Sequence, residues 1–128
     1  MARLAHIADD GSLDEYLTLF VPDAVWIMAP NPTLGLRGSE RRGHAAILAD
    51  RVARRGEGFQ GPGSHSRHVT STVTVQVTSS ESATAESSWM LWRDTDTAPT
   101  LAATGRYADT FRKTSKGWKL AVRRVTLG

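Results

Sequence analysis

Apolar residues recur at helical spacing early in the chain and alternate with polar ones over its second half, which predicts helices first and long strands afterwards. Leu4, Ile7 and Ala8 mark the first helical stretch, and Asp10-Gly11 interrupts it. Ser12-Leu13-Asp14-Glu15 has the form of a capping box, with the Ser12 hydroxyl accepting from the backbone N–H of Glu15. Two acids in that turn also suit the positive end of the helix dipole. Leu13, Leu17 and Phe20 then form one apolar face that Pro22 ends. Ala24–Met28 reads as a short apolar strand closed by Pro30-Asn31-Pro32. Beyond a Gly- and Arg-rich link over Gly35–Gly43, the positions of Ile47, Leu48 and Val52 predict a helix from His44 to Arg55, with Gly56 as its stop. Gly56–Gly63 holds four glycines and Pro62 in eight residues, a loop able to form a lid or pocket rim.

The rest is strand-like. In Arg67–Thr78, Val69, Val73, Val75 and Val77 alternate with His68, Thr70, Thr72, Thr74 and Gln76. Ser79-Ser80-Glu81-Ser82 turns the chain into Ala83–Arg93, which carries Glu86, Trp89, Met90 and Trp92. Asp94–Pro99 leads to a strand over Leu101–Lys113, and Ser115-Lys116-Gly117 to the last, Trp118–Thr126. These strands exceed the usual length of about five or six residues. Long strands accumulate right-handed twist and curl into a trough, which only the N-terminal helices are available to close. The expected fold is therefore α+β, a single domain over residues 1–128 in which a cone-shaped, curved antiparallel sheet wraps around N-terminal helices.

Composition narrows the function classes. At 128 residues there is room for one domain. Cysteine is absent, which excludes disulfides, thiolate metal sites and a Cys nucleophile and fits a reducing compartment. No apolar run approaches the roughly 18 residues of a membrane span, and the first residues lack a signal-peptide core, so a cytoplasmic location and no membrane partner are expected. The pI of 9.8 is high, yet the net charge is only +3, and the basic residues are interleaved with Asp and Glu. Without a concentrated basic stripe, no nucleic-acid partner is expected. His65 and His68 lack a third ligand, so no metal is expected. Gly56–Gly63 lacks a following Lys-Ser/Thr and leads into a strand, so it is not a phosphate loop.

Several phrases, in their order and spacing, resemble the SnoaL-like domains of the nuclear transport factor 2-like superfamily. They are Leu19-Phe20-Val21-Pro22-Asp23-Ala24-Val25-Trp26, Gly43-His44-Ala45-Ala46-Ile47, Arg67-His68-Val69, Gly105-Arg106-Tyr107-Ala108-Asp109, and Gly117-Trp118-Lys119 with Arg123. The resemblance implies a conical cavity on the concave sheet face, commonly in a homodimer. It does not settle activity, because that superfamily includes dehydratases, ketosteroid isomerases, polyketide cyclases, epoxide hydrolases, dioxygenase small subunits and non-catalytic members.

Among dehydratase-like members a helix-borne acid and a strand-opening His form an acid–base pair, and the resemblance places these on Asp9 and His68. An imidazole exchanges protons near neutral pH, and a carboxylate can fix its tautomer. The plainer reading makes Asp9 a helix-end residue and puts His68 on a solvated face with its threonines, although a bulge would reset that alternation. The family group often carries a Tyr five residues before the acid; here the position is Leu4. Tyr107 can substitute, with Ala103 and Gly105 leaving room for a ligand and Leu101 on the same face. Asp109 on an inward face needs a partner, and Arg123 on the neighbouring strand is the expected one. Trp89 and Trp92 fall on opposite faces, so one should line the cavity; Trp26 suits a binding wall, and Trp118 suits core or dimer packing. His6 and His44 read as surface residues.

The expectation is thus a small-molecule enzyme using cofactor-free dehydration, isomerisation or cyclisation on a small apolar or polycyclic molecule. Asp9, His68 and Tyr107 would be catalytic, with Trp26, Trp89, Asp109 and Arg123 binding substrate. The alternative is a non-catalytic ligand-binding or protein-interaction domain of the same fold.

Overall fold

The computed structural model describes residues 1–128. It contains helices α1 (Ala2–Asp10) and α2 (Leu13–Leu17), strand β1 (Phe20–Met28), a 3-10 turn at Pro32–Leu34, strand β2 (Ser39–Arg42) and helix α3 (Gly43–Gly56). Strands β3 (Arg67–Val77), β4 (Ser82–Arg93), β5 (Thr100–Thr114) and β6 (Gly117–Leu127) follow. All strands form one sheet in the order β2-β1-β6-β5-β4-β3, so β2 and β3 are edges and the sheet does not close. Pairing is antiparallel except between β1 and β6, which makes the sheet mixed where an antiparallel one was expected. No helix is long and apolar enough to cross a membrane.

Curvature follows from which residues meet. β1 and β3 are four strand spacings apart, about 19 Å in a flat sheet. Yet Trp26 of β1 and His68 of β3 line the same cavity. The sheet therefore curls, with α1 packed on β3 and α3 on β1. Leu4, Ile7, Tyr16, Phe20, Ile47 and Leu120 fill the space between helices and sheet.

Ser12 Oγ accepts from Glu15 N at 3.1 Å, as a capping box requires. The helix it starts ends at Leu17, not at Pro22: Phe20 already belongs to β1, and Tyr16 is the residue α2 buries. Pro22 is tolerated inside β1 because the β6 register skips from Phe20 to Val25 and pairing with β2 begins only at Val25. In α3 the buried stripe is Ile47 and Arg51, whereas Val52, expected on the apolar face, is 54% exposed. Arg55 ties α3 to α1, its Nη2 donating to the carbonyls of Ile7 at 3.0 Å and Gly11 at 2.7 Å. A cation there also complements the negative end of the α1 dipole.

Two irregularities reset side-chain faces. The β3–β4 register slips between Ser71 and Thr74, where Thr72 adopts φ 49°, unusual for a β-branched residue. Before the slip His68 and Thr70 face the cavity. After it Val75 and Val77 oppose Ala85 and Ala83 on the same concave side and are left about two-thirds exposed, at 64% and 66%. The β4–β5 register slips beside Trp92, which turns Leu101 away from Tyr107 and leaves it 49% exposed. Trp118, at the β5–β6 hairpin, is 42% exposed and takes no part in the core.

Gly105 does not leave room for a ligand, as its size suggested. A Cβ there would collide with the Thr126 carbonyl oxygen and lie 2.9 Å from Cζ2 of Trp89, so the indole already occupies the space above the glycine. Gly105→Ala should therefore destabilise the fold by about 1–3 kcal/mol through overpacking. Gly56→Ala, with nothing near its Cβ, should be neutral or stabilising by up to about 1 kcal/mol. Urea unfolding of both variants checks the contrast; equal stabilities would contradict it.

Candidate active site

The concave face and the three helices line a partly open cavity of about 90 Å³. α1 contributes Leu4 and Ala8, α2 Tyr16, α3 Arg51 and Arg54, and the loop after α3 Gln60. The strands contribute Trp26, His68, Trp89, Tyr107 and Arg123. Trp89 forms a wall of the cavity.

Asp9 and His68 are joined twice. Asp9 Oδ2 accepts from the His68 backbone N–H at 2.9 Å, and Oδ1 lies 2.6 Å from ring Nδ1. A carboxylate only accepts, so the contact places the ring proton on Nδ1 and leaves Nε2 as the nitrogen able to take a proton. Asp9 is 2% exposed and sits behind the ring, while His68 lines the cavity. The sequence grouping of His68 with Thr70 is kept, but the shared face is the cavity wall and not bulk solvent.

Asp109 and Arg123 face each other across β5 and β6. Arg123 Nε donates to Asp109 Oδ1 at 2.8 Å and Nη2 to Oδ2 at 2.7 Å, a bidentate pair with side chains 5% and 0% exposed. Burial is the largest influence and alone would pull the Arg123 pKa down; the hydrogen bonds and charge of Asp109, with Tyr107 and Tyr16, together outweigh it and leave it raised. From this pair a ladder of flat groups crosses the cavity. The guanidinium lies 3.8 Å from the Tyr107 centroid and 5.4 Å from that of Trp26. Tyr107 stacks on Trp89 with centroids 5.7 Å apart, and Arg51 covers the other end at 4.4 Å from the Trp26 centroid. Burial pushes the Tyr107 phenol up to about 12, so at neutral pH it can only be un-ionised.

The sequence reading missed Tyr16, Arg51 and Gln60. Tyr16 puts a phenol into the cavity from α2, while position 4 offers only Leu4. Arg51, 5% exposed, follows the buried Ile47 by one helical turn, and that spacing was the available signal. Its neighbour Asp50 also meets Arg41 and Arg54. Burial would raise the Asp50 pKa, but the guanidiniums of Arg51, Arg54 and Arg41 outweigh it and hold the carboxyl below its usual range. His44 is partly buried, its Nε2 3.1 Å from the Phe20 carbonyl, and is not the surface residue expected.

A family model for SnoaL-like domains matches residues 1–124. No curated protein sequence matches the chain. An NTF2-like protein with a cystatin-like fold from Novosphingobium aromaticivorans superposes with a TM-score of 0.81 at 23% identity, over 98% of this chain and 75% of the other. A proposed scytalone dehydratase from the same organism gives 0.75 at 22% identity, over 100% and 78%. The beta subunit of a proposed aromatic-ring-hydroxylating dioxygenase, again from that organism, gives 0.74 at 20%, over 98% and 82%. At such identities the structural likeness establishes the fold alone.

Breaking the buried pair from one side should be costly. Asp109→Asn is expected to lose about 3–5 kcal/mol of stability, and the apolar double replacement Asp109→Leu with Arg123→Met to recover most of it. Denaturant unfolding of single and double variants checks this; a single variant within about 1 kcal/mol of the wild type would refute it.

Proposed function

The chain belongs to the family of SnoaL-like domains, and from that premise we propose that it is a small-molecule enzyme moving a proton with its own side chains. The reaction class is dehydration, isomerisation or cyclisation of a compact, largely apolar substrate, without a cofactor. The observation that carries the reading is the double contact of Asp9 with His68 at the cavity wall. His68 Nε2 takes the substrate proton. Asp9 keeps Nδ1–H oriented and stabilises the imidazolium that forms. Tyr107, a neutral phenol on the same wall, donates to the oxygen on which negative charge develops, and Tyr16 offers a second phenol. Trp26 and Trp89 supply flat apolar surface, and Asp109 holds Arg123 in place between them. For comparison, an apolar cavity of roughly 150 Å³ accommodates benzene. The pocket is smaller than that, so a ligand with even one ring extends through its open side or displaces the Gly56–Gly63 loop.

One feature favours binding without turnover: Leu4 stands where the family group often carries a phenol. That reading predicts a ligand that raises the melting temperature and is recovered unchanged.

The test is turnover of a panel of small cyclic hydroxy-carbonyl compounds in D2O, followed by mass spectrometry for loss of water or gain of deuterium. His68→Ala should lower kcat by roughly 10²–10⁴-fold, and Asp9→Asn by less with KM little changed. Undiminished turnover in His68→Ala would end the proton-transfer reading.

The exposed Val75 and Val77 on the β3 edge support a homodimer through this side of the sheet. Val75→Lys with Val77→Lys should convert a dimer to a monomer in light scattering; a monomeric wild type would remove the proposal.

A further inference from the structure

Every buried side-chain polar atom without a hydrogen-bond partner is a nitrogen donor: Nε of Arg51, Arg55 and Arg93, Nε2 of Gln60 and Nε1 of Trp89. Three of these residues, Arg51, Gln60 and Trp89, line the one cavity that also holds His68. Buried donors are normally satisfied, because desolvating an N–H without replacing its bond to water is unfavourable. Three unpartnered donors on residues of one cavity lining suit an acceptor brought from outside.

The charges point the same way. Arg123 is matched one to one by Asp109. Arg51 is not. Its only carboxylate is Asp50, at 2.6 Å, and Asp50 is shared with Arg54 at 3.0 Å and Arg41 at 3.3 Å. One negative charge faces three guanidiniums, and Arg51 is the most buried of them, at 7% side-chain exposure against 38% and 36%. Its other support is the face of Trp26, 4.4 Å away, which holds the guanidinium plane against the ring without supplying a formal charge. Gln60, 5% exposed, reaches the same cavity from the Gly56–Gly63 loop, so that loop contributes a donor as well as a rim.

We propose that Arg51 and Gln60 form the subsite for a carboxylate on the ligand, so that the molecule this cavity accepts is a small apolar carboxylic acid and not a neutral hydrocarbon-like compound. Arg51 supplies the charge and a planar N–H fork, Gln60 an amide N–H, and the carboxylate oxygens satisfy both. The aromatic wall of Trp26 and Trp89 takes the apolar body. The assignment rests on the cavity being the ligand site, as in the reading above, but requires no turnover.

The experiment is calorimetric titration of the full chain with benzoate, cyclohexanecarboxylate and acetate, each against its isosteric primary amide. At least one acid is expected to bind about tenfold or more tightly than its amide. Gln60→Leu and Arg51→Met should each remove most of that preference, and Arg51→Lys, which keeps the charge and loses the fork, should retain part of it. Circular dichroism identifies any variant that fails to fold, and Gln60→Leu, altering a buried loop residue whose amide nitrogen has no protein partner, then decides. His68→Ala should keep the preference for acid over amide, whatever its affinity for either. No acid–amide preference in the wild type, or a preference untouched in folded Arg51 and Gln60 variants, overturns the subsite. Loss of turnover in His68→Ala with an unchanged acid preference separates this inference from the catalytic one, since each can fail alone.

Discussion

Asp109 and Arg123 occupy opposing positions in the β5–β6 ladder, and the two bonds between them fix the plane of a guanidinium that is almost wholly enclosed. A guanidinium cannot be enclosed this way unpaired, because its desolvation is too unfavourable, so the ion pair is a condition for packing this part of the concave face. Once made, it dictates its surroundings. The guanidinium covers one face of Tyr107 and the far face is left to Trp89, which in turn requires Gly105 beneath it. The aromatic wall of the cavity is thus a consequence of one charge pair and one missing side chain.

The other half of the site depends on how α1 ends. Asp9 lies in its last turn, where the helix dipole disfavours an acid. Two arrangements offset this. Arg55 of α3 donates to the carbonyls of that same turn, and both Asp9 oxygens accept from His68. Because one residue receives both contacts, the helix end and the start of β3 are locked together, and the imidazole is positioned by main chain as much as by its ring. The Gly56–Gly63 loop is not needed to hold His68. It is free to contribute Gln60.

Much of this was legible in the sequence because helical and strand periodicities differ so plainly between the two halves of the chain. The Asp109–Arg123 pair was legible too, since an inward carboxylate on a long strand demands a cation on the next one. What escaped was whatever depends on a neighbour. Ser39-Glu40-Arg41-Arg42 has no apolar alternation and is a strand only because β1 pairs with it. Pro22 looked like a helix stop because nothing local shows that its missing N–H is not needed. The bulge at Thr72 carries no Gly or Pro to announce it, so the faces of Val75 and Val77 could not be followed past it. Arg51 escaped because an Arg on an amphipathic helix ordinarily faces water; its burial depends on the Trp26 face and on Asp50, one from another element and one shared with two other arginines.

The two halves of the site are chemically unlike, and the difference bears on how it can work. The helix and loop side presents donors without acceptors, Nε of Arg51 and Nε2 of Gln60, and β6 adds the matched guanidinium of Arg123. The β3 side presents His68, whose Nε2 is an acceptor once Asp9 has taken Nδ1–H. A substrate lying between them meets a base on one side and positive charge on the other. In the proposed reaction, removing a proton on the His68 side would send electron density towards a substrate oxygen on the donor side. Arg51 is pre-oriented by Trp26 and Asp50, so it needs no rearrangement as charge develops, which is the condition under which fixed charges stabilise a transition state more than a ground state.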